Sequence, residues 1–364
     1  MAFNTKTGQA LRDVVESHGE DGALRIVESA LGTGTGKPGK LRPEDFSIRE
    51  IWEACNPGVS VYEANASGAF PKITGALINS KIISAYDNVP TVGGQLTQTV
   101  KSNVQDETIA GFTEVEGPEE VGEGMEYNDS TISEKYVTAH NEKFGRMLSV
   151  TEEMIYFDKT GQVLMRANRI GQRAAIYKEK LILEGIQDVN TTVYRPSGVP
   201  TAFYSAGNRN LQLTNAFGES GLEAIMKLAQ TQKNDSLGVN AYDDFIFIDP
   251  QSAIVLVPID LYLEAWQMAN SALTPESAEN AQNFWKGRFI PLTSPFVSVR
   301  NATTWYWGDF KQDFWWLEVW PLQVMTQGPG NEDEFKKDIK ARFKCRFYGT
   351  IAGISTEHSY KSTT

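Results

Sequence analysis

The feature that most constrains this chain is one long amphipathic run. From Thr160 to Ile186, the residues Val163, Ala167, Ile170, Ala174, Tyr177 and Leu181 recur at alternating spacings of four and three, which lays a single apolar stripe along a helix. At a rise of about 1.5 Å per residue such a helix is roughly 40 Å long, about the diameter of a small domain. It is too long to be one element among equals and predicts a structural spine. Arg166, Arg169 and Arg173 stand at helical spacing beside the stripe and form a basic ridge with no partner nearby in sequence.

The segments before the spine have apolar faces but little bulk. Met1 to Leu31 predicts two short amphipathic helices, one carrying Leu11, Val14 and Val15 and the next Leu24, Val27 and Leu31, with Gly32 as a stop. The glycine-rich linker from Gly32 to Lys40 has the composition of an arm. Ser47 and Glu50 form a capping box, and Phe46 and Ile51 a hydrophobic staple, so a helix is expected from Ile48 to just before Asn56. A further helix is expected over Ile73 to Tyr86, with Ile73, Leu77, Ile78, Ile82 and Ile83 on one face. None of these segments can bury its face alone, so each must pack on the rest of the chain or on another copy.

From Gly94 to Ser149 the pattern turns to strand-like pieces, TIAGFTEV and TISEKYVTAH, around a turn-rich acidic centre. This predicts a long two-stranded excursion, which is marginal unless it lies on something. Glu114, Glu116, Glu119, Glu120, Glu123 and Glu126 crowd its tip. The acidic tip and the basic ridge suggest that the loop of one subunit lies over the spine of the next.

Leu222 to Thr326 alternates helix and strand. It holds a helix at 222–231, the strand FIFID, the fully apolar run Ile254 to Val257 and a helix carrying Leu261, Ala265, Met268 and Ala269. Trp305, Trp307, Trp315, Trp316 and Trp320 cluster there, and Phe314, Trp316 and Trp320 alternate with Trp315, Leu317 and Val319. A strand apolar on both faces is buried; only Lys311 interrupts the cluster, too little charge for a nucleic-acid groove. Asp338 to Ser355 predicts one or two long strands returning to the spine.

Recognised chemistry is not supported. A phosphate loop at Gly32 to Lys40 fails because Leu31 stands where the first glycine belongs and Pro38 replaces the magnesium-binding hydroxyl. His18, His140 and His358 are the only histidines and have no metal-ligand spacing. No G-x-S-x-G elbow occurs. Catalytic, cofactor and metal sites are therefore all expected to be none. The net charge of -12 argues against tight binding to nucleic acid but suits a container that holds it loosely. Cys55 and Cys345 form no framework, which fits an intracellular, reducing setting, and neither a signal peptide nor a membrane span is expected.

The order of these parts, together with KFGRMLSVTEEMIYFD (Lys143 to Asp158), AAIYKEKLILEGI (Ala174 to Ile186), AIVLVPIDLYLEAWQMANSA and FKKDIKARFKCRFYGTIAGIS, resembles the major capsid proteins of tailed bacteriophages. The resemblance covers about Ile73 to Ser355 and implies an α+β fold of the Hong Kong 97 phage type. Its parts would be an N-terminal arm at 1–93, an extended β-hairpin loop (the E-loop) at 94–149 and a peripheral domain with the spine helix at 150–221. An axial domain at 222–326 and a return to the peripheral domain at 327–364 would complete it.

The function implied is a virion protein that assembles in the bacterial cytoplasm into an icosahedral shell around double-stranded DNA, as hexamers and pentamers of itself and without catalysis. Glu119, Glu120, Glu123 and Glu126 would meet Arg166, Arg169 and Arg173 between subunits. The sequence opens on Met1 with no segment removed, which predicts a separate scaffolding protein; a portal and a decoration protein are further implied partners, and no membrane is. Some relatives crosslink a lysine to an asparagine, and Lys135 and Lys143 lie in the right region, but no asparagine follows Asn331, so noncovalent assembly is expected. The alternative is an encapsulin-type nanocompartment around protein cargo.

Overall fold

The structure, a computed structural model, describes residues 5–31, 48–56, 69–112, 134–157, 161–232, 253–273, 282–327 and 338–363. In chain order the first elements are α1 (Thr5–Leu31), α2 (Ile48–Cys55), α3 (Ala69–Asp87), α4 (Gly93–Leu96), β1 (Gln98–Lys101), β2 (Asp106–Phe112), β3 (Glu134–His140), β4 (Glu142–Thr151), α5 (Glu152–Phe157) and α6 (Gln162–Ile186). There follow β5 (Leu211–Gln212), α7 (Glu219–Gln230), β6 (Ile254–Val257), α8 (Ile259–Asn270), β7 (Ile290–Thr293), α9 (Pro295–Ser298), β8 (Trp305–Gly308), α10 (Phe310–Asp313), β9 (Phe314–Gln327), β10 (Ile339–Gly353) and β11 (Ser359–Ser362). The fold is α+β and divides into two units, one of residues 1–90, 143–178 and 320–348, the other of 91–142, 179–319 and 349–364.

The first unit is built on apolar packing. α1 is two helices joined at Gly19, whose φ of 69° lies in the left-handed region that favours glycine, so the expected pair is present and its break falls at that residue. α2 has the expected bounds, and Asn56 closes it by returning both its N–H and its side-chain amide to the Trp52 carbonyl. The capping box and staple involve Phe46 and Ser47, which lie outside the described residues. α3 starts before Ile73, with Pro71 in its first turn, where a missing N–H costs nothing. Its buried face holds Ile73, Leu77, Ile78 and Ile82, while Ile83 is turned outward.

These helices bury their faces within the chain. Leu11, Val27, Ile51, Trp52 and Phe70 share one core with Leu148 and Val150 of β4, Val163, Leu164 and Ala167 of α6, and Phe343 of β10. Trp52 and Phe70 meet edge to face at 4.9 Å. Each large side chain removed from water here contributes about 1.5–3 kcal/mol.

The long helix expected from the sequence is present as α6, with a rotated face. It begins at Gln162, after Gly161 in the left-handed region, and its buried positions are Val163, Leu164, Ala167, Gly171, Ala175, Glu179, Ile182, Leu183, Gly185 and Ile186. Of the expected stripe only Val163 and Ala167 are fully buried, and Tyr177 is 40% exposed. Gly171 explains the rotation. A Cβ there would lie 2.3 Å from the Ile82 carbonyl oxygen and 3.0 Å from the Ala85 Cβ, so α3 packs against the α6 backbone at a residue that has no side chain.

Four strands form a sheet in the order β1-β9-β10-β4. β1 runs parallel to β9, with Gln98 opposite Trp315 and Lys101 opposite Glu318. The expected excursion over 94–149 is thereby narrowed. Only β2 and β3 pair with each other, while β1 and β4 are the two edges of this sheet. Phe314, Trp316 and Leu317 are buried and Trp315, Val319 and Trp320 half-buried, in keeping with the two-faced apolar pattern of β9.

The second unit contains a five-stranded sheet in the order β5-β11-β8-β6-β7. β6 is buried at every position, as its continuous apolar run predicts, between parallel β7 and antiparallel β8. Leu222, Ile225 and Ala229 of α7 and Ala265, Met268 and Ala269 of α8 join Trp285, Trp305, Trp307 and Tyr360 in its core. The mixed segment was expected to span 222–326, with 327–364 returning elsewhere. Instead β5 and β11 enter this sheet and β9 belongs to the other, because strand pairing between distant residues overrides contiguity. FIFID lies outside the described residues.

Candidate assembly surfaces

Three surfaces are candidates for contact with further copies of the chain. On α6, Arg166, Arg169 and Arg173 all face solvent beside Met165 and Tyr177. Arg166 Nη1 lies 4.0 Å from Met154 Sδ, and none of the three arginines pairs with a carboxylate among the described residues. The 3-4 spacing that defines the ridge also keeps it clear of the buried stripe. The rim of this face is held by stacking, with Phe144 edge-on to Tyr177 at 5.3 Å and against Phe347 at 5.3 Å.

The second surface is the β2–β3 hairpin, antiparallel from Asp106 opposite His140 to Phe112 opposite Glu134. Its base is fastened by side chains and backbone together. Asn141 is buried and donates its amide to Ser102 Oγ (3.0 Å) and the Val104 carbonyl (2.8 Å), and its N–H to the Gln105 carbonyl (2.8 Å). Ser102 in turn donates its N–H to the Glu318 carbonyl and its hydroxyl to Glu107 Oε2. On the outer edge of β3, Thr138 donates to the Arg195 carbonyl and Ser197 to that of Tyr136. This supplies the support that an isolated hairpin lacks. Glu119, Glu120, Glu123 and Glu126 lie outside the described residues, so the structure places the ridge but not its proposed partner.

The third surface was missed by sequence reading. Ile259, Leu263 and Trp266 form an exposed apolar stripe on α8, opposite its buried Ala265, Met268 and Ala269, and Leu263 is 65% exposed. The signal was present: α8 has apolar residues on more than one face, and the second face needs a cover.

Buried ionisable groups are concentrated in the second unit. Glu179 accepts the N–H groups of Val92 (3.0 Å) and Gly93 (2.8 Å) at the start of α4; burial raises its carboxyl above the usual range although both hydrogen bonds oppose the rise. Asp313 is fully buried against His358, and burial raises its carboxyl too. In the first unit, burial pushes the Cys345 thiol up to about 11, away from the reactive thiolate, and Cys55 is likewise buried. Among the described residues no group of His, Cys, Asp and Glu could hold a metal ion, and no helix is long and apolar enough to cross a membrane.

Comparison with known proteins gives these surfaces a context. No curated protein sequence matches the chain. Among solved structures, the capsid of a native GTA particle is similar at 11% identity over 75% of this chain and 90% of that one, with a TM-score of 0.49. A structure from Mycobacterium phage Adephagia has 12% identity over 76% and 90%, with a TM-score of 0.48. A virus-like particle from Pyrococcus furiosus has 8% identity over 78% and 97%, with a TM-score of 0.43. A family model described as phage capsid protein matches residues 136–360, more than half of the sequence and including α6, both sheets' principal strands and α8. The chain therefore belongs to the phage capsid protein family.

Proposed function

We propose that this capsid protein is the shell-forming subunit of a tailed-phage head, an icosahedral container for double-stranded DNA with the Hong Kong 97 phage-type arrangement. As a capsid protein its role is structural rather than catalytic, its place is the virion, and it associates with copies of itself. In the finer reading, the β2–β3 hairpin within 94–149 is the extended loop, α6 the spine helix, and the five-stranded sheet with α7 and α8 an axial domain. Hexamers and pentamers would form the shell, with a separate scaffolding protein, a portal and a decoration protein as companions. The acidic balance of -12 suits a wall that holds DNA without gripping it.

The observation that carries the contact model is the bare ridge of Arg166, Arg169 and Arg173 on α6. An exposed ridge that pairs with no carboxylate among the described residues is satisfied when the acidic loop of a neighbouring subunit, with Glu119, Glu120, Glu123 and Glu126, lies across it. Charges meeting at a surface give register and partner choice more than raw affinity, and salt weakens them. Reversing all three arginines to glutamate is expected to abolish particles at low salt, as read by size-exclusion chromatography and negative-stain microscopy. Reversing the four glutamates to lysine in the same chain is expected to restore them. Normal shells from the arginine variant would rule the contact out. Nuclease-protected DNA in purified particles supports the phage head, whereas one co-purifying enzyme would make the particle a protein-filled compartment.

A further inference from the structure

β11 reaches the five-stranded sheet by a detour. The chain leaves that sheet at Gly308, passes through α10, β9 and β10, and returns only at Ser359 to pair with the strand it left, Ser359 opposite Gly308 and Ser362 opposite Trp305. The two ends of the detour meet at Asp313. Its backbone carbonyl accepts the N–H of Ile354 (2.7 Å), just after β10. Its carboxylate accepts the N–H of His358 at 3.1 and 3.3 Å and stands 3.1 Å from His358 Nδ1.

What holds residues 354–363 is largely polar. Lys361 donates its N–H to the Asn210 carbonyl, the Asn210 amide donates to the Thr356 carbonyl, Ser362 Oγ donates to the Asn215 carbonyl and Thr363 donates to the Gln212 carbonyl. Tyr360 is the one large side chain that 355–363 adds to the core, 5.8 Å from Trp307. The fit at the turn is close: a Cβ on Gly308 would lie 2.0 Å from the His358 carbonyl oxygen. Ile354, at the start of the segment, adds a half-buried contact on the cluster of Ala139, Leu317 and Ala352, and a segment held by hydrogen bonds, that contact and one ring opens at lower cost than the strands around it. Once out, it leaves β8 with an unpaired edge in the interior of the sheet.

We propose that residues 354–363 are a strap that closes the second unit last, with Asp313 as its clasp, and that a subunit with the strap out does not enter a shell. The shell clause rests on the capsid reading; the strap itself does not.

Hydrogen exchange by mass spectrometry on the full-length chain tests it. In the unmodified protein, amides of 359–362 are expected to exchange faster than those of 254–257. Asp313→Ala should accelerate exchange at 354–363 and 305–308 by roughly tenfold or more, since a charge-assisted bond is lost, and leave α6 unchanged. Asp313→Asn, which keeps an acceptor for the His358 N–H, should fall between. Equal exchange of 359–362 and 254–257, no acceleration in Asp313→Ala, or equal acceleration in α6 each overturn the strap. A normal shell yield from Asp313→Ala with the strap open overturns the gate. If the unmodified chain forms no particles under any condition, the capsid reading fails while the exchange result stands on its own.

Discussion

The two units of this subunit are stabilised in different currencies of interaction. The first is a stack of helices around the apolar core of Trp52, Phe70 and Phe343, with one nearly buried ion pair among the described residues, Lys340 and Glu152 at 3.4 Å. The second also has an apolar core but hides Glu179, Asp188, Asp313 and Lys361 around it, each with a pKa displaced chiefly by burial. Apolar packing is sensitive to shape and indifferent to pH, whereas buried ionisable groups make stability depend on pH as well. The difference teaches where each unit can be switched and where it can only be broken.

The sharpest test is to break the first unit alone. Trp52→Ala removes a fully buried ring packed on Phe70 and should cost about 3–5 kcal/mol, with faster hydrogen exchange in α2, α3 and α6 and none of it in β6. Acceleration throughout the chain would show that the units do not unfold separately. A smaller effect comes from overpacking. Gly171→Val drives a side chain into the Ile82 carbonyl and should cost about 1–3 kcal/mol in a urea titration; an unchanged midpoint would mean that α3 can move aside.

The mildest test uses pH and should touch only the second unit. Burial alone would lower His358, but its hydrogen bond to Asp313 and the charge of that carboxylate, with Glu357 and Asp309, raise it above 6.5. Asp313, facing Tyr194, Tyr204 and Tyr360 as well, is itself raised above 3.8 by burial, although the His358 contact opposes this. Both groups bind protons more tightly folded than unfolded. Their stabilisation is complete below the ordinary values and is lost as pH rises through the folded ones. Exchange at 354–363 should therefore quicken as pH climbs above 6.5, after correction for intrinsic rates, with no matching change in α1 to α3. A flat profile, or His358→Gln behaving with the same pH dependence as the unmodified chain, would remove the titrating pair from the account.

Much of the architecture was legible in one dimension. α2 begins at Ile48 and ends before Asn56 as its capping pattern implies, β6 is buried at every position of its apolar run, and the ridge of Arg166, Arg169 and Arg173 lies on the exposed side of α6. These features depend on residues within a turn or two of one another, or on a run whose composition leaves only one environment. The second stripe of α8 was legible too, but a helix read for one face hides the other.

What the sequence by itself determined was the set of elements, the helical repeat of α6 and the membership of long apolar strands in a core, because local propensity and period are properties of neighbouring residues. Only the tertiary structure decided which face of α6 is buried and which sheet receives β11. Gly171 carries no apolar signal yet is buried because another backbone needs its space, and Glu179 carries a charge yet is buried because two N–H groups await it. β11 is mostly polar yet sits inside a sheet because Asp313, far from it in sequence, holds the turn that delivers it. Such choices are made by the partner's geometry, and the partner lies elsewhere in the chain.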